Sequence, residues 1–157
     1  MTSATPQDTN GQGRRRRWLS LLAKAPAKRL EVLWAELGPV PTYTLVRRPE
    51  VGLVMVKGRI SGSGATFAMG EMTVTRAAVR LESGEMGIGY VGGRKPRQAE
   101  IAAALDALGQ RDEWRQPIED RVIVPLTKEA ESRHLRIRSR AAATKVDFFT
   151  VAREAGS

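Results

Sequence analysis

Apolar and polar positions change their period along the chain. Trp18, Leu19, Leu22 and Ala23 fall on one side of a helix that the run Arg14–Arg17 leads into. Pro26 interrupts it, because proline disfavours helical geometry in the residue before it. Leu30, Leu33, Trp34 and Leu37 then recur at i, i+3, i+4 and i+7, which predicts a second amphipathic helix over residues 27–37, stopped by Gly38 and Pro39. From Tyr43 the pattern turns strand-like. Residues 43–47 and 53–57 are rich in valine, leucine and aromatic residues and predict two strands joined by a short turn at Pro49 and Gly52. Residues 58–64 read as a loop, 66–69 as a short strand, Gly70 as a bulge and 71–81 as a long strand. ESGE (residues 82–85) is a turn before a further strand over 86–91.

The helical period returns at Pro96, a favourable first helical position. Ile101, Leu105 and Leu108 line one face, and Gly109 ends that helix. Residues 111–116 read as a polar linker, and Pro125 within VIVPL argues against a central strand there. HLRIRSR (residues 134–140) alternates with period two, yet its flanks KEAES and AAATKV and the length of the segment favour a last helix from about 127 to 151. The sum is an α+β fold: an antiparallel sheet of about four strands packed by N-terminal, middle and C-terminal helices. Residues 1–13 are polar with no apolar period and are expected to be a disordered tail on a single domain spanning 14–157.

The long strand poses a specific problem. Alternation places Met72, Val74, Arg76, Ala78 and Arg80 on one face, and Glu71, Thr73, Thr75, Ala77, Val79 and Leu81 on the other. Neither face is cleanly apolar or polar. One reading pairs Arg76 and Arg80 with Glu71 or with carboxylates on an adjacent strand. The other makes that face a contact surface, where arginine is enriched among apolar neighbours.

Composition narrows the chemistry. The chain has 157 residues and a net charge of +9, and 20 of its 26 positive residues are arginine. Guanidinium suits phosphate, phosphonate or carboxylate, so an anionic ligand or an acidic partner surface is expected. The chain has no cysteine, which excludes disulfides and thiolate metal sites, and its single histidine, His134, excludes a multi-histidine metal cluster within it. His134 has Glu131 nearby in sequence and no nucleophile beside it, so it reads as a surface residue. The apolar run after Arg14–Arg17 stops at Lys24, too early for an export signal, and no stretch would span a bilayer. A cytoplasmic protein is expected.

Gly87, Gly89 and Gly92 form a G-x-G-x-x-G, but a turn precedes them and Ile88, Tyr90 and Val91 interleave them, as in a strand rather than a dinucleotide loop. GGRKP places proline where a P-loop needs serine or threonine. Gly62, Gly64 and Gly70 could form a backbone nest for an anion, or a hairpin loop with a bulge. Arg14–Arg17 and Arg136, Arg138 and Arg140 could clamp nucleic-acid phosphates, although no aromatic residues interleave them for stacking. A basic nucleic-acid-binding module is therefore the alternative reading.

GEMTVTRAAVRL (residues 70–81) closely resembles the signature of the PhnG subunit family of the carbon–phosphorus lyase system. RRRWLSLLA (15–23), GYVGGRKPRQAEIAAALDAL (89–108) and VDFFTVAR (146–153) resemble further blocks of that family in order and spacing. Lys95 stands where the family turn is typically acidic, and Arg153, Glu154 and Ala155 replace its usual arginine, glycine and aspartate, so no role of those carboxylates carries over. The resemblance implies an accessory subunit acting with PhnH, PhnI and PhnL. Their reaction transfers an alkylphosphonate to C1 of the ATP ribose and displaces adenine. It also implies a symmetric core of PhnG, PhnH, PhnI and PhnJ, two copies of each, with nucleosidase-like chemistry in PhnI, the main partner. No cofactor or metal is expected in this chain, no catalytic residue is assigned, and neither nucleic acid nor membrane is expected as a partner. From the mixed strand and the glycine turn, Arg76, Arg80 and Arg94 are expected to contact a partner or an anion.

Overall fold

A computed structural model describes residues 11–59 and 64–143. Element order is α1 (Gln12–Lys24), α2 (Ala27–Glu36), β1 (Tyr43–Arg59), β2 (Thr66–Leu81), β3 (Met86–Gly92), α3 (Pro96–Leu108), α4 (Asp112–Ile118), a π-helical turn (Glu119–Ile123) and α5 (Val124–Ala143). The fold is α+β, and its sheet is antiparallel with three strands in the order β1-β2-β3.

Three strands replace the expected four or so because bulges absorb the breakers. β1 runs unbroken through Pro49 and Gly52, with register shifts between Leu45 and Arg47 and between Arg47 and Glu50. Proline is tolerated at a bulge of an edge strand, where its missing N–H costs no ladder bond. The two segments around Gly70 likewise fuse into β2. Val56 faces Gly70 and Lys57 faces Ala68, so Met69 is the extra residue, and Gly70 takes a φ of 148°, which side-chain-bearing residues rarely adopt.

The helices form around α3. It begins at Pro96 as expected, but from Gln98 to Leu108 every residue except partly exposed Glu100 is buried, rather than one apolar stripe. Alanines at 99, 102, 103, 104 and 107 make this possible by letting neighbours approach closely on every side. The sheet packs on one side through Ala77, Val79, Leu81 and Val91; Trp18 and Leu22 of α1 and Leu30, Leu33 and Leu37 of α2 complete the core. Gln98 ties α1 to α3: its Nε2 donates to the carbonyls of Leu22 and Ala25, both at 2.9 Å, where α1 ends.

Residues 112–118, which take in most of the linker expected at 111–116, are helical instead, and the VIVPL run enters the core through Val122, Ile123 and Leu126. Pro117, inside α4, and Pro125, in the first turn of α5, flank the π-helical turn. The last helix begins at Val124, and His134–Arg140 are helical within it. The VDFFTVAR block and residues 1–10 of the expected tail lie outside the described residues.

Candidate functional site: an open sheet face

Strand alternation sorts β2 into two faces with different fates. Thr75, Ala77, Val79 and Leu81 point into the core and are buried. The β3 counterparts of Ala77 and Val79 are glycines for a steric reason. A Cβ on Gly87 would lie 1.9 Å from the Ala103 carbonyl, and one on Gly89 would lie 1.8 Å from that of Ala99. Gly87 and Gly89 of the G-x-G-x-x-G pattern are thus a strand face cut down to admit a helix, whereas Gly92 is on the other face with open space around it.

The other face carries Met72, Arg76 and Arg80, all at least partly exposed, around Val74, which is buried, and half-buried Ala78. Pairing extends it across the sheet. Arg76 is opposite Glu50 on β1 and Tyr90 on β3, Ala78 is opposite Arg47 and Ile88, and Arg80 is opposite Thr44 and Met86. Ile88 and Tyr90 are about half exposed, and no described helix covers this face. It combines methionine, isoleucine, tyrosine and arginine, the mixture enriched at interface cores. Residues 86, 88 and 90 went unassigned to a site from sequence. The signal was the alternation of Met86, Ile88 and Tyr90 with glycine, which puts these three side chains on one side and leaves Val91 on the other.

The guanidinium groups are held at defined points. Glu50 Oε1 accepts from Arg76 Nη2 and Arg47 Nη1, each at 2.9 Å. A carboxylate on the adjacent strand does therefore pair with Arg76, but it is Glu50 and not Glu71, which lies on the opposite face. Gly52 leaves room for Arg76, whose Nη2 would be 3.5 Å from a Cβ placed there. Arg76 Nε is enclosed and donates to nothing among the described residues. Arg80 lies about 13 Å farther along the strand, with Nη2 3.3 Å from Met86 Sδ and no carboxylate partner among the described residues. One carboxylate against Arg47, Arg76 and Arg80 leaves the face positive.

Arg94 sits apart, exposed, on the turn from β3 into α3. Buried Thr75 locks that turn: its hydroxyl donates to the Gly93 carbonyl (2.6 Å) and accepts from the Lys95 N–H (2.9 Å), with Gly93 at a φ of 85°. The structure thus places Arg76 and Arg80 together and Arg94 on a fixed turn beyond the far end of β3.

The free edge of β3 is covered from α3. Asp106 accepts from the Ile88 N–H at 2.9 Å and binds Arg15 in a fork at 2.7 and 2.8 Å; Gln110 Nε2 donates to the Met86 carbonyl at 2.6 Å. Asp106 holds the Arg15 guanidinium above its ordinary pKa, chiefly through these hydrogen bonds. A cleft of about 510 Å³ opens here, lined by Arg14, Arg15, Arg115 and Trp18 among others. Its arginines are already engaged: Arg15 with Asp106, Arg115 with Asp112, and Arg14 stacked 5.9 Å over the Trp18 ring. Gly62 of the expected nest lies outside the described residues. Among the described residues no group of three or more His, Asp or Glu side chains is placed to hold a metal ion. No described helix is long and apolar enough to cross a membrane.

Comparison with known proteins accords with this arrangement. The family profile "Phosphonate metabolism protein PhnG" matches residues 13–154. The chain belongs to the PhnG family. It is 42% identical, over 98% of its own length and 97% of the relative's, to the alpha-D-ribose 1-methylphosphonate 5-triphosphate synthase subunit PhnG of Rhizobium meliloti (strain 1021). The β2 stretch whose sequence resembles the family signature, Gly70–Leu81, is the stretch that divides core from open face. In this PhnG family member the motif builds a two-sided strand: one side shapes the α3 seat, the other presents Arg76 and Arg80.

Proposed function

We propose that this chain is an accessory subunit of an alpha-D-ribose 1-methylphosphonate 5-triphosphate synthase in the cytoplasm. With PhnH, PhnI and PhnL it serves transfer of an alkylphosphonate to C1 of the ATP ribose, with loss of adenine. PhnI is its main companion, within a core that holds two copies each of PhnG, PhnH, PhnI and PhnJ. ATP and alkylphosphonate are substrates of the assembly, this chain holds no cofactor of its own, and bond-making groups reside in other subunits.

The observation that carries this reading is the uncovered sheet face. It sets guanidinium and large apolar side chains side by side around the strand that bears the family signature. Such a surface favours a protein companion with carboxylates set among apolar groups. Arg94 extends the positive surface to the β3–α3 turn, and the net positive charge favours approach of polyanionic substrates to the assembly.

Co-expression with PhnH, PhnI and PhnJ tests this reading. Mass measurement should find one assembly with two copies of each chain, and the isolated chain should show no turnover. Arg76→Ala should weaken assembly or activity while the variant chain melts as the parent does. Normal assembly and normal turnover by that variant would remove Arg76 from the interface. Tight, salt-sensitive binding to duplex DNA with no affinity for PhnI would replace the whole reading with nucleic-acid binding.

A further inference from the structure

The far half of α5 is unlike the rest of the molecule. The helix is rooted in the π-helical turn before it and buries Leu126, and Arg29 of α2 reaches Glu129 at 2.7 Å. Beyond Arg133, every residue described through Ala141 is exposed. Leu135 and Ile137 are 65% and 59% exposed, among the most exposed large apolar residues of the chain. Two helical steps of about 100° put them on opposite sides of the helix. Arg136 and Arg138 occupy the intervening sides, and no carboxylate lies between Arg133 and Ala141.

This distribution restricts what covers the helix. A flat surface, such as a bilayer, buries one side of a helix and leaves the other in water. Burying Leu135 and Ile137 together needs two apolar walls, and Arg136 and Arg138 between them need carboxylates. A second copy of this chain is a poor candidate, since it carries the same +9 excess. The position matters too. α3 separates the open sheet face from the helical layer in which α5 is rooted. The rooted half of α5 lies beside Leu21, Lys24 and Ala25 at the end of α1 rather than against the open sheet face.

We infer that residues 134–141 of α5 form a second docking element, which enters an acidic, two-walled groove on another subunit of the synthase, one different from the subunit that covers the sheet face. This inference rests on the reading of the chain as a synthase subunit.

The test uses the chain co-expressed with PhnH, PhnI and PhnJ and captured through a tag on this chain, for the wild type and three double variants. Leu135→Asp with Ile137→Asp, and separately Arg136→Glu with Arg138→Glu, should each lower retention of one subunit at least about tenfold. Arg76→Ala with Tyr90→Ala should lower retention of a different one. Unchanged retention in both α5 variants overturns the inference while leaving the synthase reading intact. So does loss of the same subunit from the α5 and sheet-face variants. A melting temperature of the variant chain several degrees below the parent's also overturns it, because α5 would then be covered by its own chain. Binding of a 30-base-pair duplex that the Arg136 and Arg138 changes abolish would assign the helix to nucleic acid instead. Failure of the wild-type chain to retain any subunit would sink the synthase reading along with it.

Discussion

At Gly89 the difference between a hydrogen and a methyl decides whether α3 can sit on β3. A Cβ there would fall 1.8 Å from the Ala99 carbonyl, a backbone atom that a rotamer change cannot move. Gly89→Ala should therefore destabilise the chain by about 3 kcal/mol, at the upper end of ordinary overpacking, as read from urea unfolding. Asp106 makes a different demand. Its carboxylate, with 2% of its side chain exposed, satisfies both the Arg15 guanidinium and the Ile88 N–H. Asp106→Asn keeps the shape but turns an amide donor toward one of those donors, and should cost about 2–3 kcal/mol. Arg15→Ala, by contrast, should leave the Ile88 contact in place, and its melting curve should separate the ion pair from the edge cap. Neither role was legible in the sequence. Gly89 fell within a pattern that read as a strand but gave no sign of the helix packed against it, and Asp106 was one of two acids in an otherwise alanine-rich helix.

Periodicity fixed the type of most elements because each buries a face, and a buried face writes its period into the chain. α2 keeps its expected set of Leu30, Leu33, Trp34 and Leu37, of which only Trp34 stays partly exposed. The sidedness of β2 followed from alternation as well, whereas the partner of Arg76 did not: Glu71 was among those expected, and Glu50 takes its place. What stayed hidden depended on neighbours. Pro49 and Gly52 look like a turn until bulges on an edge strand absorb them, and two prolines conceal a continuous helical path from α4 to α5 through a π-helical turn. Glu50 is also a long-range partner, 26 residues from Arg76. β1 is anchored at its first residue, where the Tyr43 hydroxyl donates to Glu100 Oε1 at 2.8 Å. Burial, and then this hydrogen bond, raise the phenol's pKa above 10.0. A raised folded-state value means the stabilisation is complete below the unfolded pKa and is lost as pH rises through the folded one. Stability should thus decline above about pH 10. Tyr43→Phe should cost about 1 kcal/mol at pH 8 and flatten that alkaline decline, which denaturant titrations at the two pH values would show.

For the whole molecule, the sheet acts as a partition. The residues that hold the chain together lie on its α3 side. Met86, Ile88 and Tyr90 of β3 lie on the other, where they add little to the fold. Stability and assembly should then respond to different substitutions on strands less than 5 Å apart. Val79 is fully buried against the helices, so Val79→Ala removes core contacts and leaves a cavity, at a cost of about 2 kcal/mol. Retention of partner subunits by whatever fraction stays folded should be little changed. Ile88 is opposite Ala78, next along the strand to Val79, but on the outer face and half exposed. Ile88→Ser should shift chain stability by no more than about 0.5 kcal/mol, yet reduce capture of the subunit on the sheet at least about tenfold. Paired measurements of melting and of capture on both variants make the comparison. Equal loss of stability in the two would mean that the outer face is part of this chain's own core. Undiminished capture by Ile88→Ser would move the interface off the sheet, and the arginines of β2 with it.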